Sequence, residues 1–272
     1  MNREIELKLT PFLKWAGGKR WLVSNYREVF PQSYNNYIEP FLGGGAVFFN
    51  LNPKKGILSD KNIWLIDTYN AIKMDAEKVY SILRKHHKNH SKEYYYKIRS
   101  SKTKNIYTSA AKLIYLNRTC WNGLFRVNLK GEFNVPIGTK NNVIMENDNF
   151  SLISERLSNI SIVNSDFEKI IDMSEENDLI FVDPPYTVKH DNNGFIKYNE
   201  VLFQWEDQIR LRDALVRAQN RGSKIILTNA HHSSISDLYS KEFKLEVVNR
   251  KSVMSSISKN RGKCEEYLIM NK

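Results

Sequence analysis

The stretch Asp178-Leu179-Ile180-Phe181-Val182-Asp183-Pro184-Pro185-Tyr186 sets four apolar residues between two acids and stops on two prolines and an aromatic ring. Four residues are too few for a helix, and a run without polar alternation suits a strand covered on both faces. Each proline fixes φ and lacks an N–H, so the strand must end at Val182 and the chain beyond it is stiff, its carbonyls left to accept hydrogen bonds. Similar short runs recur at residues 37–41, 56–59, 160–163, 224–227 and 266–270, separated by helix-compatible stretches, and several end on polar residues. That pattern predicts an α/β, doubly wound sheet. In such sheets ligands sit beyond the carboxyl ends of the strands, which puts Asp60, Asp166, Asp183 and Asn229 forward as residues of one crevice.

Upstream, Ile38-Glu39-Pro40-Phe41-Leu42-Gly43-Gly44-Gly45-Ala46 runs from an apolar strand into three glycines and then the apolar run Val47-Phe48-Phe49. Glycines at a strand-to-helix turn let backbone approach a ligand without Cβ clashes. The spacing is not G-x-G-x-x-G and no Walker lysine follows, which favours an adenosine cofactor other than a dinucleotide or a nucleoside triphosphate; a plain tight turn would read the same. Asp60 closes the next strand, where a carboxylate can accept from ribose hydroxyls or simply cap a helix. Before both lies Pro11-Phe12-Leu13-Lys14-Trp15-Ala16-Gly17-Gly18-Lys19-Arg20. Trp15 is a candidate cover for one face of a cofactor and Lys19 for its carboxylate, with simple aromatic anchoring of the segment as the alternative.

The 272 residues carry 41 Lys plus Arg against 30 Asp plus Glu, a formal +11. Residues 81–140 hold 13 cations and 2 anions, so this one segment accounts for the whole excess. Tyr94, Tyr95 and Tyr96 interleave with the cations, and Ala110, Leu113, Ile114 and Asn117 recur at helical spacing, as in a small folded unit facing a polyanion. Its end, Asn117-Arg118-Thr119-Cys120-Trp121-Asn122-Gly123-Leu124-Phe125-Arg126-Val127-Asn128 and then Gly131-Glu132-Phe133-Asn134-Val135-Pro136, predicts a β-hairpin with Arg126 projecting. An arginine fork matches the O6 and N7 acceptors of guanine, and Trp121 is a candidate wedge between bases. With 41% hydrophobic residues the chain can bury a core, and two cysteines, Cys120 and Cys264, are too few for a disulfide framework or a zinc cluster. A charged start and the lack of any run near roughly 18 apolar residues predict a soluble, cytoplasmic protein with no signal peptide, no membrane and no metal.

Asp183-Pro184 alone is a common turn initiator. Joined to Tyr186 it suits a planar exocyclic amine, whose lone pair is delocalised into the ring. Asp183 and the Pro184 carbonyl can each accept one N–H while Tyr186 stacks on the base, a contact worth roughly 1–3 kcal/mol in nucleic-acid complexes.

Together FLKWAGGKR, IEPFLGGGAVFF, LSDKN, LNRTCWNGLFRVN with GEFNVP, NSDFEK and FVDPPY resemble, in order and over nearly the whole chain, the DNA adenine methyltransferase (Dam) family of N6-adenine enzymes with the alpha-group motif order. The resemblance implies a Rossmann-like S-adenosylmethionine-dependent methyltransferase sheet, formed by 1–80 and 160–272, with an inserted helical and β-hairpin DNA-recognition domain over 81–159. It puts Trp15, Lys19, Phe41, Gly43, Asp60, Asp166 and Asp183 around S-adenosyl-L-methionine, and Asp183, Pro184, Pro185 and Tyr186 in the catalytic pocket. Lys14, Trp121, Asn122, Leu124, Arg126 and Pro136 would face double-stranded DNA, with GATC the leading target and Trp121 standing where the family often has a smaller ring. A cognate restriction endonuclease is a candidate partner, and the enzyme is expected to be monomeric. Two stretches depart from the family: Thr187 to Phe195 differs from a Ser/Thr-rich loop, and Cys264, after Ser255-Ser256-Ile257-Ser258 and Arg261-Gly262-Lys263, stands where an aliphatic residue is commoner. A methyltransferase acting on RNA or on a glutamine side chain, and a non-enzymatic DNA-binding module, are the alternatives that the residues leave open.

Overall fold

The computed structural model describes residues 9–128, 130–189, 203–251 and 263–272. Its strands are β1 (Tyr37–Glu39), β2 (Gly56–Asp60), β3 (Ile160–Asn164), β4 (Leu179–Val182), β5 (Lys224–Ala230), β6 (Phe243–Lys251) and β7 (Lys263–Asn271). Its helices are α1 (Arg20–Asn25), α2 (Ala46–Leu51), α3 (Ile63–Lys88), α4 (Lys92–Ser100), α5 (Ile106–Thr119), α6 (Phe150–Leu157), α7 (Phe167–Asp172), α8 (Trp205–Asn220) and α9 (Ser233–Tyr239). Among the described residues seven strands make one sheet in the order β3-β2-β1-β4-β5-β7-β6. The Rossmann-like α/β architecture is therefore present. The chain divides into two compact units, one of residues 1–20, 42–54 and 60–164, the other of 21–41, 55–59 and 165–272.

In the second unit β2, β1, β4 and β5 run parallel, with Ile38 opposite both Ile57 and Ile180, and Ile180 opposite Ile225. Every residue of β1 and β4 is buried, as are the five central residues of β5, which is why these strands read as unbroken apolar runs. β2 opens on Gly56, where a Cβ would collide with the Tyr37 carbonyl oxygen of the neighbouring strand. β4 is the run read from the sequence, while β5 and β7 extend past their runs and β1 stops at Glu39. β6 falls in no apolar run. β7 lies antiparallel between β5 and β6, pairing Ala230 with Glu266 on one side and Val248 with Glu266 on the other. Leu211, Ala214, Leu215 and Ala218 give α8 a buried face. Arg210 and Arg217 tie α8 to α7, reaching Glu168 at 2.9 Å each and Asp172 at 2.8 Å from Arg217.

The first unit is built on α3 and α5. Asn62 caps α3 by accepting from the Leu65 N–H at 3.2 Å. The helix breaks at Asp75 (φ −159°, ψ 83°), whose Oδ1 accepts from the Lys78 N–H at 2.9 Å and so caps the second half afresh. α5 opens on a capping box between Asn105 and Thr108, and Ala110, Leu113, Ile114 and Asn117, the residues at helical spacing, are all buried in it. Arg118, at its last turn, holds Asp148 with both fork nitrogens at 2.6 and 2.7 Å and reaches the Val143 carbonyl at 2.8 Å. It also donates to the Phe12 carbonyl at 3.2 and 3.1 Å, which fastens the N-terminal segment to α5. The expected hairpin is pared down to two antiparallel bridges, Cys120 with Ile137 and Val127 with Phe133. No helix among the described residues is long and apolar enough to cross a membrane.

Candidate active site and nucleic-acid surface

In the first unit the glycine turn is held open by its own backbone geometry. Gly43 takes φ +48° and Gly45 φ +64°, left-handed values that side chains resist, and α2 follows at once. A Cβ on Gly43 would come 2.8 Å from Trp15 Cδ1, so only glycine lets this backbone lie against the indole edge. Trp15 in turn stacks on Phe125, ring centroids 5.2 Å apart. The Gly43 N–H donates to Asp60 Oδ2 at 3.0 Å, and the Asn62 N–H to Asp60 Oδ1 at 2.9 Å. Burial raises the Asp60 carboxyl above its ordinary value, while the N–H groups of Asn62, Gly43 and Lys61 pull it back. Asp60 thus ties the glycine turn to the end of β2, and the cap of α3 is Asn62 instead. Lys19 is buried and its Nζ donates to the Gly17 carbonyl at 2.8 Å. Trp15, Gly43 and Asp60 are therefore brought together in one cluster.

The same unit gathers the DNA candidates. Asn117 grips Lys14 by both backbone groups at 2.8 Å and the Gly123 carbonyl at 3.1 Å. The Lys14 stem lies against Gly123, where a Cβ would come 2.6 Å from Lys14 Cδ. A hydrogen-bonded neighbour, Lys140, lowers the Lys14 amine from its ordinary value, and burial adds to that. Trp121 is 53% exposed, its backbone N–H donating to the Pro136 carbonyl at 2.9 Å, with Asn122 in the left-handed region at φ 54°. Leu124 is half-buried, its N–H on the Trp121 carbonyl. Arg126 is exposed and projects as expected, with Nε donating to Asn134 Oδ1 at 2.7 Å. The motifs do not mark Asn117 and Arg118 as site residues, because the Lys14 and Phe12 groups they hold lie about a hundred positions away in the chain; Asn134, eight positions from Arg126, is a local brace.

In the second unit β1 and β4 are parallel neighbours, so both end at the same edge of the sheet. Asp183 follows β4 directly, and its Oδ1 accepts from the Thr228 hydroxyl at 2.9 Å. The Tyr186 hydroxyl donates to Glu266 Oε2 at 2.7 Å, and the other Glu266 oxygen meets Arg250 Nη1 at 3.0 Å. Burial, Asp183 and Glu266 together raise the Tyr186 phenol well above its ordinary value, so it stays protonated. Pro184 is buried and Pro185 half-buried. Phe41 stacks on Phe167 at 5.4 Å and meets Phe203 edge-on at 5.7 Å. Asp166, just before Phe167, caps α7 through the Glu168 N–H at 3.0 Å and pairs with Arg210 at 2.9 Å.

Asn229 corrects the reading of strand ends. It is fully buried, and its amide donates to Gln208 Oε1 at 3.1 Å, so it braces β5 against α8 and does not open towards a ligand. Thr228, one residue earlier, supplies the polar contact at this edge. Glu266 and Arg250 were also missed as site residues; the signal was an acid heading an otherwise apolar strand run. Of the two departing stretches, residues 190–202 and 252–262 lie outside the described residues, as does the side chain of Cys264. Among the described residues no group of three or more His, Cys, Asp or Glu side chains is placed to hold a metal ion.

A mixed sheet with β7 slotted between β5 and β6, a glycine turn after β1 and an acid-Pro-Pro-aromatic tip on β4 are consistent with the α/β fold of the S-adenosylmethionine-dependent methyltransferases. The family model of the D12 class N6 adenine-specific DNA methyltransferases matches residues 15–254, and the chain belongs to that family. It is 37% identical over 276 residues to the type II methyltransferase M1.LlaDCHI of Lactococcus lactis subsp. cremoris, covering 98% of this chain and 96% of that one. Over 288 residues it is 35% identical to the type II methyltransferase M.MjaIII of Methanocaldococcus jannaschii, covering 97% and 100%. The DNA adenine methylase of Escherichia coli K12 is 29% identical over 265 residues, covering 96% and 95%. The resemblance read from the motifs is thereby borne out. The enzyme is an N6-adenine DNA methyltransferase, and the RNA, glutamine and non-enzymatic alternatives fall away.

Proposed function

We propose that this enzyme uses S-adenosyl-L-methionine to methylate an adenine turned out of double-stranded DNA, within GATC. The observation that carries the proposal is the stiff Asp183-Pro184-Pro185-Tyr186 tip at the carboxyl end of β4, beside the strand that leads into the glycine turn. The donor set suits the cofactor: a bare glycine backbone against the Trp15 indole, the Asp60 carboxylate on the same turn, and the Phe41 ring packed on Phe167, next to Asp166. Trp15, Lys19, Phe41, Gly43, Asp60, Asp166 and Asp183 would hold it. When bound, it supplies an electrophilic methyl group on a sulfonium sulfur that keeps the C–S electron pair.

The protein's part is to make N6 a nucleophile. A stacked, paired amine is out of reach, so the base must be extruded, with Tyr186 as the platform that receives it. Asp183 and the Pro184 carbonyl each accept one N6 hydrogen, which bends the amine away from conjugation and directs its lone pair. The proton that N6 gives up leaves on the Asp183 side. Thr228 donates to Asp183 and so fixes which way the carboxylate faces. Positioning and removal of water supply most of the acceleration.

Recognition is assigned to residues 81–159 together with Lys14. Arg126 reads a guanine, Trp121 enters the stack, and Asn122, Leu124 and Pro136 shape the contact. The type II names of two relatives support a cognate restriction endonuclease as companion, and the proposal extends to a monomer acting in the cytoplasm. Asp183→Ala should abolish transfer of labelled methyl groups to duplex DNA while leaving duplex affinity near that of the wild type. Retained turnover would reject the assignment, and sequencing modified bases in DNA from expressing cells tests the target.

A further inference from the structure

We propose that Glu266 is a positioning residue for methyl transfer, holding the Tyr186 ring in its base-stacking pose through a buried carboxylate that Arg250 anchors. This rests on the reading of Tyr186 as the platform for the extruded base. The three residues belong to three segments of one unit: Tyr186 follows β4, Arg250 lies on β6 and Glu266 on β7.

Burying a carboxylate is expensive unless its oxygens are satisfied. Glu266 is 2% exposed at a strand position bracketed by Ala230 on β5 and Val248 on β6, where an apolar side chain would serve the sheet at lower desolvation cost. Each of its oxygens nevertheless has a separate donor, the Tyr186 hydroxyl at 2.7 Å on Oε2 and the Arg250 guanidinium at 3.0 Å on Oε1. Arg250 neutralises the acid and fixes the plane of the carboxylate. That plane then fixes the phenol oxygen, and with it the tilt of the whole ring.

Two consequences follow for the reaction. A ring clamped at its far end loses little rotational freedom when a base arrives, so the stacked geometry is in place beforehand. A phenol donating to an anion is also richer in electrons over its face. The adenine gains positive character as N6 takes the methyl group, and an electron-rich face favours that charge over the neutral ground state. Glu266 should therefore act on kcat more than on the KM for DNA.

The experiment is a double-mutant cycle on the full chain with Glu266→Gln and Tyr186→Phe, measuring kcat and KM on a duplex substrate, with thermal midpoints recorded alongside. Tyr186→Phe removes the phenol oxygen, with its contacts to both Glu266 and Thr228, and leaves Glu266 and Arg250 in place, so it reports even if Glu266→Gln folds poorly. A hydrogen bond to a charged group predicts a loss of about tenfold to a hundredfold in kcat for each single variant. The KM for DNA should change less than about threefold, and the double variant should be no slower than the worse single one, as expected of two ends of one contact. Wild-type kcat in Glu266→Gln, or losses that multiply in the double variant, would overturn the role of Glu266. Wild-type kcat in Tyr186→Ala would instead overturn the stacking role of Tyr186 itself, which separates the two failures.

Discussion

Replacing Arg118 with Met puts a number on what fastens the N-terminal segment. Arg118 and Asp148 side chains are only 1% and 6% exposed, and the arginine fork also serves the Val143 and Phe12 carbonyls. Against well-packed apolar residues a buried pair of this kind is often neutral, but removing one partner strands the other charge at a cost of about 3–5 kcal/mol. For a protein of this size each kcal/mol lowers the melting temperature by roughly 2–4 °C, so Arg118→Met should melt roughly 6–20 °C below the wild type. The same substitution releases Phe12, three residues before Trp15, so cofactor affinity should fall as well. Adding Asp148→Leu removes the stranded carboxylate and should win back part of the loss. Thermal unfolding of the two variants, with calorimetric titration of S-adenosylmethionine, decides the matter. A single variant melting within about 2 °C of the wild type, or a double variant less stable than the single one, would refute the assignment of cost to an uncompensated buried charge.

Gly43→Ala must hold a left-handed residue, at about 1–2 kcal/mol, and push Trp15 off a 2.8 Å approach; cofactor binding by calorimetry should weaken about tenfold or more, and an unchanged Kd would contradict the cradle. Arg126→Ala should relax discrimination at a single base pair by about 1–3 kcal/mol, measured as kcat/KM on duplexes with one base changed, whereas equal losses on every sequence would make Arg126 a phosphate contact. Burial lowers His86 from its ordinary 6.5 to about 4, its Nδ1 lying 2.9 Å from the Tyr94 hydroxyl. The unfolded chain takes up that proton as pH falls from 6.5 towards 4 and the native state does not. The stability linked to His86 is thus complete above pH 6.5 and declines through that window by up to about 3 kcal/mol. Urea midpoints at pH 7 and pH 4.5 should show this decline in the wild type and a shallower one in His86→Gln.

The sheet was legible where burial is two-sided. β4 could be read to the residue because Asp178 and Asp183-Pro184 bracket four buried apolar side chains. β6 escaped a search for unbroken runs because Lys244 and Glu246 interrupt it and Val247 is 47% exposed, as suits the last strand in the sheet order. Its alternation of Phe243, Leu245 and Val247 was the available signal. The glycine turn and the Asp183 tip announced themselves because their shapes are fixed by local chemistry, the missing Cβ of Gly43 and the missing N–H groups of Pro184 and Pro185. Thr228, Arg250 and Glu266 could not be assigned to Asp183 and Tyr186 in that way. Thr228 lies 45 positions from Asp183 and Glu266 lies 80 from Tyr186, and nothing local marks a threonine or an acid as a brace.

The position of β7 between β5 and β6 bears on how the chain is made. During synthesis both neighbours are made before residues 263–271; until then β5, already paired with β4, offers a bare row of N–H and C=O groups along the side that β7 will later occupy, and β6 has no strand to join. A ribosome stalled in this interval would present β5 as a sticky sheet edge beside an unpaired apolar segment, so truncated products should clump with one another as well as lack the Glu266 brace on Tyr186.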